Sequence, residues 1–267
     1  MPPLAPLLRD YDQLILDLDG CVWLGEEPVD GSVDAIATLR EAGKRVAFAT
    51  NNSWQPGEDH VAKLWSLGVK ASLADVVTVG GALQHLLAET RSGRTACVVG
   101  TGALCRHVED AGLKVLNGTD LASRADVVVV GGTDEISYAQ LRDATLAAHR
   151  GADLLATGRD PFLPMPEGPW PGTGALLAVV ETASGRVAEI VGKPSPRMFH
   201  TALDRLGEGR TLVVGDRMDS DVAAAAAARL DAVLVLSGGG PHQPTDDPDA
   251  LRPVAVADSL HALVRGG

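Results

Sequence analysis

The stretch LILDLDGCVW, residues 14–23, ends an apolar run on two acids, Asp17 and Asp19, followed by Gly20. Like charges this close repel each other, so a strand tip carrying both needs a cation or an acid–base task to offset the cost. Asp216 and Asp221 follow a second apolar run in TLVVGDRMDSD. Between the two runs, ATNNS supplies Thr50 and Asn51, and GKPSP supplies Lys193. A hydroxyl, an amide, backbone N–H groups and an ammonium suit a phosphate. Carboxylates suit magnesium, which takes one or two of them together with waters and a phosphate oxygen.

Positioning these residues falls to short β-rich runs that alternate with helical patterns. QLILDLD, RVAFAT and TLVVG read as strands; VDAIATLREAG and GEDHVAKLWSLG read as helices closed by Gly43 and Gly68. SPRMFHTALDRLG reads as a helix with Ser195 as N-cap and Pro196 at its first position. DVAAAAAARL reads as a helix of the best helix former, and DAVLVLSGGG and VAVADSLHALV add strand signals. Such alternation predicts an α/β fold, a doubly wound parallel sheet covered by helices on both faces. Ligands then bind beyond the carboxyl ends of the strands. That edge collects Asp17, Thr50, Asn51 and Asp216 from three strands. Residues 79–188 read as a second α/β unit, leaving 1–78 and 189–267 as the core. PHQPTDDPDALRP reads as a polar, proline-rich loop.

The chain has 267 residues and a formal net charge of −12, which argues against a nucleic-acid partner. No apolar run approaches a membrane span, and the first residues lack a basic segment that would read as a signal peptide. Three cysteines without a CxxC spacing fit reduced thiols and a cytoplasmic setting. Cys21, beside the acid pair, reads as a small buried hydrophobe rather than a nucleophile.

DLDG, ATNNS, GKPSP and GDRMDSD, in this order and spacing, resemble the four motifs of the haloacid dehalogenase superfamily. TNNS and the long α/β insert resemble its NagD-like, p-nitrophenyl phosphatase subfamily. The resemblance implies a Rossmann-like core with an inserted cap, and a magnesium-dependent phosphatase of small phosphate monoesters. It makes Asp17 the nucleophile that forms an aspartyl-phosphate, and Asp19 the acid that protonates the leaving alcohol and later deprotonates water. It assigns magnesium to the Asp17 side chain, the Asp19 backbone carbonyl and Asp216, with Asp221 orienting metal waters or Lys193 from behind. Thr50, Asn51 and Lys193 would hold the phosphoryl group, and Gly20 would allow the turn after the acids. The insert would be a mobile cap, and relatives often dimerise through it.

LLATGRDPFLPMPEGPWPGTG is the expected specificity loop, with Asp160 as the family's acid, Gly158 in place of its usual asparagine, and Arg159 as a candidate partner for a substrate anion. Trp170 either stacks on a substrate ring or packs the loop down. VVGTGALCRHVEDAG lacks the third glycine of a dinucleotide fingerprint and reads as an ordinary strand–helix turn; SGGG at 237–240 reads as a turn near the site. Two rival functions are a phosphosugar mutase on the same core and a non-catalytic phosphate-binding protein. The intact acids favour an enzyme.

Overall fold

The computed structural model describes residues 4–165, 167–238 and 251–266. A six-stranded sheet runs in the order Ala255–Ala257, Asp231–Val235, Thr211–Gly215, Gln13–Leu16, Arg45–Thr50, Val76–Thr78, every pair parallel. The inner strands Gln13–Leu16 and Thr211–Gly215 are buried at every position, as strands covered on both faces must be. The chain starts at Gln13–Leu16, winds outward through Arg45–Thr50 and Val76–Thr78, then returns to Thr211–Gly215 on the other side. The winding therefore reverses between Gln13–Leu16 and Thr211–Gly215, which is where an open α/β sheet forms a crevice. The paired register Leu16–Val214 puts Asp17 and Asp216 at the two lips of that crevice.

A second parallel sheet takes the order Glu189–Ile190, Asp153–Ala156, Val127–Val130, Thr95–Val99, Lys114–Val115. Its edge strand Glu189–Ile190 lies just past 188, so the boundary expected from sequence stops one residue short of this sheet's last strand. An antiparallel hairpin, Phe162–Met165 with Gly168–Pro171, projects from this unit. One apolar cluster joins the two units: Ile15 and Val213 of the first sheet connect through Val79 and Leu83 to Val98 and Val129 of the second. A smaller cluster around Val128, Leu154 and Leu177 belongs to the second unit alone.

Local departures from the sequence reading have simple causes. Ser195 makes no cap bond; the helix begins at Arg197 with Pro196 as its N-cap residue. The polyalanine segment opens with a π-helical turn, Met218–Val222, before the α-helical Ala223–Ala227. The turn satisfies an early donor, because Arg217 N–H gives its bond to Asp221 Oδ2 at 3.1 Å. VAVADSLHALV splits into the strand Ala255–Ala257 and the helix Leu260–Arg265, capped by Ser259. Most of PHQPTDDPDALRP lies outside the described residues.

Candidate active site

Asp17 leaves the first strand with its N–H bonded to Val214 O at 2.8 Å, which fixes it beside the strand that delivers Asp216. Gly20 then takes a φ of +85°, and a Cβ there would fall 2.4 Å from Asp216 Oδ2. Only glycine allows both the turn and this approach. Gly238, from the SGGG turn, closes the other side, where an added Cβ would meet the same oxygen at 1.8 Å. Ser237 Oγ ties that turn down by donating to Gly20 O at 2.7 Å. Residues 239 and 240 of the turn lie outside the described residues.

Lys193 is buried and holds three acceptors: Asp17 Oδ1 at 2.7 Å, Asp221 Oδ1 at 2.7 Å and Ala49 O at 3.2 Å. Burial alone would lower its pKa, but Asp17 and Asp221 outweigh that and raise it, so the ammonium stays charged. Burial, then repulsion from Asp221, pushes Asp17 well above the ordinary carboxylate range, against the pull of Lys193. The same two causes lift Asp216 to about 7. Asp17 and Asp221 thus share one lysine, with Asp216 close beside them. We expect Lys193→Met to strand Asp17 and Asp221 without a counter-charge, costing about 3–5 kcal/mol of stability in a denaturant titration. A loss below about 1 kcal/mol would contradict that reading of the cluster.

The donor set fits a hard divalent cation. Ligand atoms of Asp17, Asp216 and Asp221 lie within 4.8 Å of one another, and Asp216 Oδ1 is buried with no hydrogen-bond partner among the described residues. Asp221 has both oxygens engaged, one by Lys193 and one by Arg217 N–H. Asp17 Oδ1 is taken by Lys193 and by Leu18 N–H at 2.8 Å. The oxygens left over are therefore those of Asp216 and Oδ2 of Asp17, while Asp221 pairs with Lys193.

Thr50 and Asn51 divide their work differently from expectation. Thr50 Oγ1 accepts from Asn52 N–H at 3.0 Å and reaches Asp19 Oδ2 at 3.3 Å. Asn51 uses its whole side-chain amide on the protein: Oδ1 accepts from Lys193 N–H at 2.8 Å, and Nδ2 donates to Lys193 O at 3.0 Å and Asp160 Oδ2 at 3.1 Å. Its amide is a strut between the lysine backbone and the insert rather than a free anion donor. Ser53 Oγ meets Thr157 Oγ1 at 3.2 Å, carrying the same loop under the second sheet. Gly132 is required here, since a Cβ would sit 2.0 Å from Trp54 Nε1.

The crevice between the units encloses a cavity of about 80 Å³. Asp17, Asp19 and Lys193 form its floor; Asp160, Phe162 and Leu163 reach it from the insert. Arg159 does not line it. Its guanidinium pairs with Glu181 through bonds of 2.9 and 2.6 Å, because Glu181 on the helix Thr173–Ser184 is the nearer carboxylate and raises the arginine's pKa. Trp170 lies partly exposed on the hairpin and also does not line the cavity. Sequence reasoning missed Arg217, which lines the cavity as Lys193 does. Arg217 Nε stands 3.3 Å from Asp160 Oδ1, its guanidinium lies 5.7 Å from the Phe162 ring centre, and Nη2 holds Asp219 at 2.8 Å. Its position directly after Asp216 was the available signal. We expect Arg159→Ala to change kcat/KM less than about two-fold for any substrate, since an exposed ion pair is worth little. A ten-fold loss confined to anionic substrates would restore the arginine to the site.

Cys21 is fully buried, and burial pushes its thiol well up, as suits an inert side chain. VVGTGALCRHVEDAG is the strand Thr95–Val99 turning into the helix Gly102–Asp110, capped by Thr101.

Two family models match the chain: haloacid dehalogenase-like hydrolase over residues 14–114 and HAD-hydrolase-like over 190–263. The acid sugar phosphatase of Staphylococcus saprophyticus is 32% identical over 233 residues, covering 86% of this chain and 88% of the relative. The D-glycerol 3-phosphate phosphatase of Mycobacterium tuberculosis is 36% identical over 233 residues, 87% of this chain but 65% of that longer protein. Among solved structures, the glycerol phosphate phosphatase of M. tuberculosis in complex with magnesium superimposes with a TM-score of 0.86 at 34% identity, covering 98% of this chain and 79% of that one. The p-nitrophenyl phosphatase of Archaeoglobus fulgidus gives 0.82 at 29% identity, over 97% and 100%. The chain belongs to the haloacid dehalogenase-like hydrolases, in their NagD-like subfamily.

Proposed function

We propose that this chain is a magnesium-dependent phosphatase of small phosphate monoesters that works through an aspartyl-phosphate on Asp17. The observation that carries the reading is the convergence of Asp17, Asp19, Asp216 and Lys193 on one small cavity at the sheet's switch point. Asp17, Asp216 and the Asp19 backbone carbonyl would hold magnesium, whose charge would offset that of the transferring phosphoryl group. Lys193 holds Asp17 in place and adds positive charge beside it. A carboxylate oxygen of Asp17 attacks phosphorus as the bond to the leaving oxygen breaks, and Asp19 gives that oxygen its proton. Asp19 then takes a proton from water. The resulting hydroxide attacks phosphorus, the bond to Asp17 breaks, and inorganic phosphate leaves. The roles given to these residues fit phosphoryl transfer, which needs chiefly positioning and charge neutralisation.

The insert, residues 79–188 extended by the edge strand Glu189–Ile190, serves in this reading as the cap that covers the leaving group. Asp160, paired with Arg217, supplies a polar edge, and Phe162 and Leu163 an apolar wall, above the floor. That combination favours short polyol phosphates, in line with the names of the relatives above. No helix among the described residues is long and apolar enough to cross a membrane. A cytoplasmic enzyme without a nucleic-acid partner, with the cap as a candidate dimer surface, completes the proposal.

The test is a panel of phosphate monoesters scored by released phosphate, without any bisphosphate primer. Glycerol phosphate and short sugar phosphates should exceed nucleoside monophosphates in kcat/KM. Isomerisation of a sugar phosphate without phosphate release would point to a mutase. No turnover of any ester with magnesium would favour a binding protein.

A further inference from the structure

Trp23 is buried, and its indole N–H donates to Asp19 Oδ1 at 2.9 Å. A buried indole N–H needs an acceptor; here the acceptor is the carboxylate assigned to proton transfer, not a backbone carbonyl. The other oxygen of Asp19 meets Thr50 Oγ1 at the longer distance of 3.3 Å, so Trp23 provides the firmer of its two holds.

The fold spends several contacts on fixing this tryptophan. Leu18 O accepts from Cys21, Val22 and Trp23 N–H groups at 3.3, 2.8 and 3.1 Å, and Gly20 N–H closes on Trp23 O at 2.7 Å. The chain thereby doubles back until residue 23 lies beside residue 19. The helix Gly57–Ser66 then grips the ring: His60 lies parallel to it at 8°, with centres 6.4 Å apart, and Lys63 Nζ stands 4.6 Å over it. His60 and Lys63 are three positions apart and share one helix face. A cation over the ring face is attracted to it, which resists rotation of the indole away from Asp19.

We infer that Trp23, clamped by His60 and Lys63, is the residue that positions Asp19 for proton transfer to the leaving oxygen. This rests on the phosphatase reading above. It predicts a dependence on the leaving group that a purely structural tryptophan would not give. An alkoxide must be protonated as it departs, whereas p-nitrophenolate leaves without a proton. Moreover, kcat/KM covers only the steps through the departure of the leaving group, so the later attack of water does not enter it.

The experiment compares wild type, Trp23→Phe and Lys63→Met on the best alkyl phosphate of the panel and on p-nitrophenyl phosphate. Trp23→Phe keeps a ring and removes the N–H. Its kcat/KM should fall roughly ten- to a hundred-and-fifty-fold on the alkyl ester, the size expected for one lost charge-assisted hydrogen bond. On p-nitrophenyl phosphate kcat/KM should stay within about two-fold, any slowing of the water step lowering kcat and KM together. Lys63→Met leaves the indole in place but loosens it, and should show the same selectivity at smaller size. If Trp23→Phe does not fold, the lysine variant decides alone. Equal losses on both esters, or none on either, would overturn the positioning role. A wild type inactive on both esters would instead overturn the phosphatase reading.

Discussion

Asp17→Asn should lower turnover of every phosphate ester by roughly a thousand-fold or more, as loss of a nucleophile does elsewhere. The change keeps the shape of the side chain and the backbone bond to Val214. It removes the charge that attacks phosphorus and half of the negative charge held by Lys193. Stability should therefore rise or hold while activity disappears. Asparagine relieves repulsion among three buried carboxylates and leaves Asp221 to pair with Lys193. An Asp17→Asn protein with turnover within ten-fold of wild type would refute covalent catalysis at this position.

Chelation of magnesium should have an effect of similar size, roughly a thousand-fold, because several kcal/mol of charge stabilisation would go with it. Calcium should bind and not restore turnover. Its higher and looser coordination lets it take both oxygens of Asp17, leaving none to attack. The metal should also show itself without any substrate. Asp216 is raised to about 7 in the fold and titrates near 4 in an unfolded chain. Without metal, the folded state is therefore the one that holds the proton between those values, and stability falls as pH rises from about 4 to about 7. Magnesium competes with that proton, so it should raise Tm more at pH 8 than at pH 5.5. Equal shifts at both pH values, or full activity in excess chelator, would remove the metal from the account.

The floor of the site was legible in the sequence because its residues sit at strand ends. An apolar run followed by an acid gives both the strand and the place where the acid emerges, so Asp17 and Asp216 could be put at one edge before their register was seen. Lys193 and Asp221 were legible through motif spacing, and the structure has them paired at 2.7 Å. What could not be read were contacts between side chains far apart in sequence. Arg159 looked available because nothing nearby in the chain opposes it, yet Glu181, one helix later, takes it. The amide of Asn51 looked free for an anion, yet Lys193 and Asp160 consume it. Nothing local marks Trp23; its N–H matters only because the turn after Gly20 brings it back onto Asp19. No local pattern announces that Ser53 and Trp54 press against Gly131 and Gly132.

The most direct test of the account is to catch the covalent state. Enzyme with magnesium and saturating substrate is quenched during turnover and treated with borohydride, which reduces an acyl phosphate to an alcohol. Peptide mass spectrometry should then find homoserine at position 17, dependent on substrate and absent from Asp17→Asn. A steadily turning-over enzyme that yields no reduced residue at position 17, or yields one at Asp19 or Asp216, would contradict the central claim.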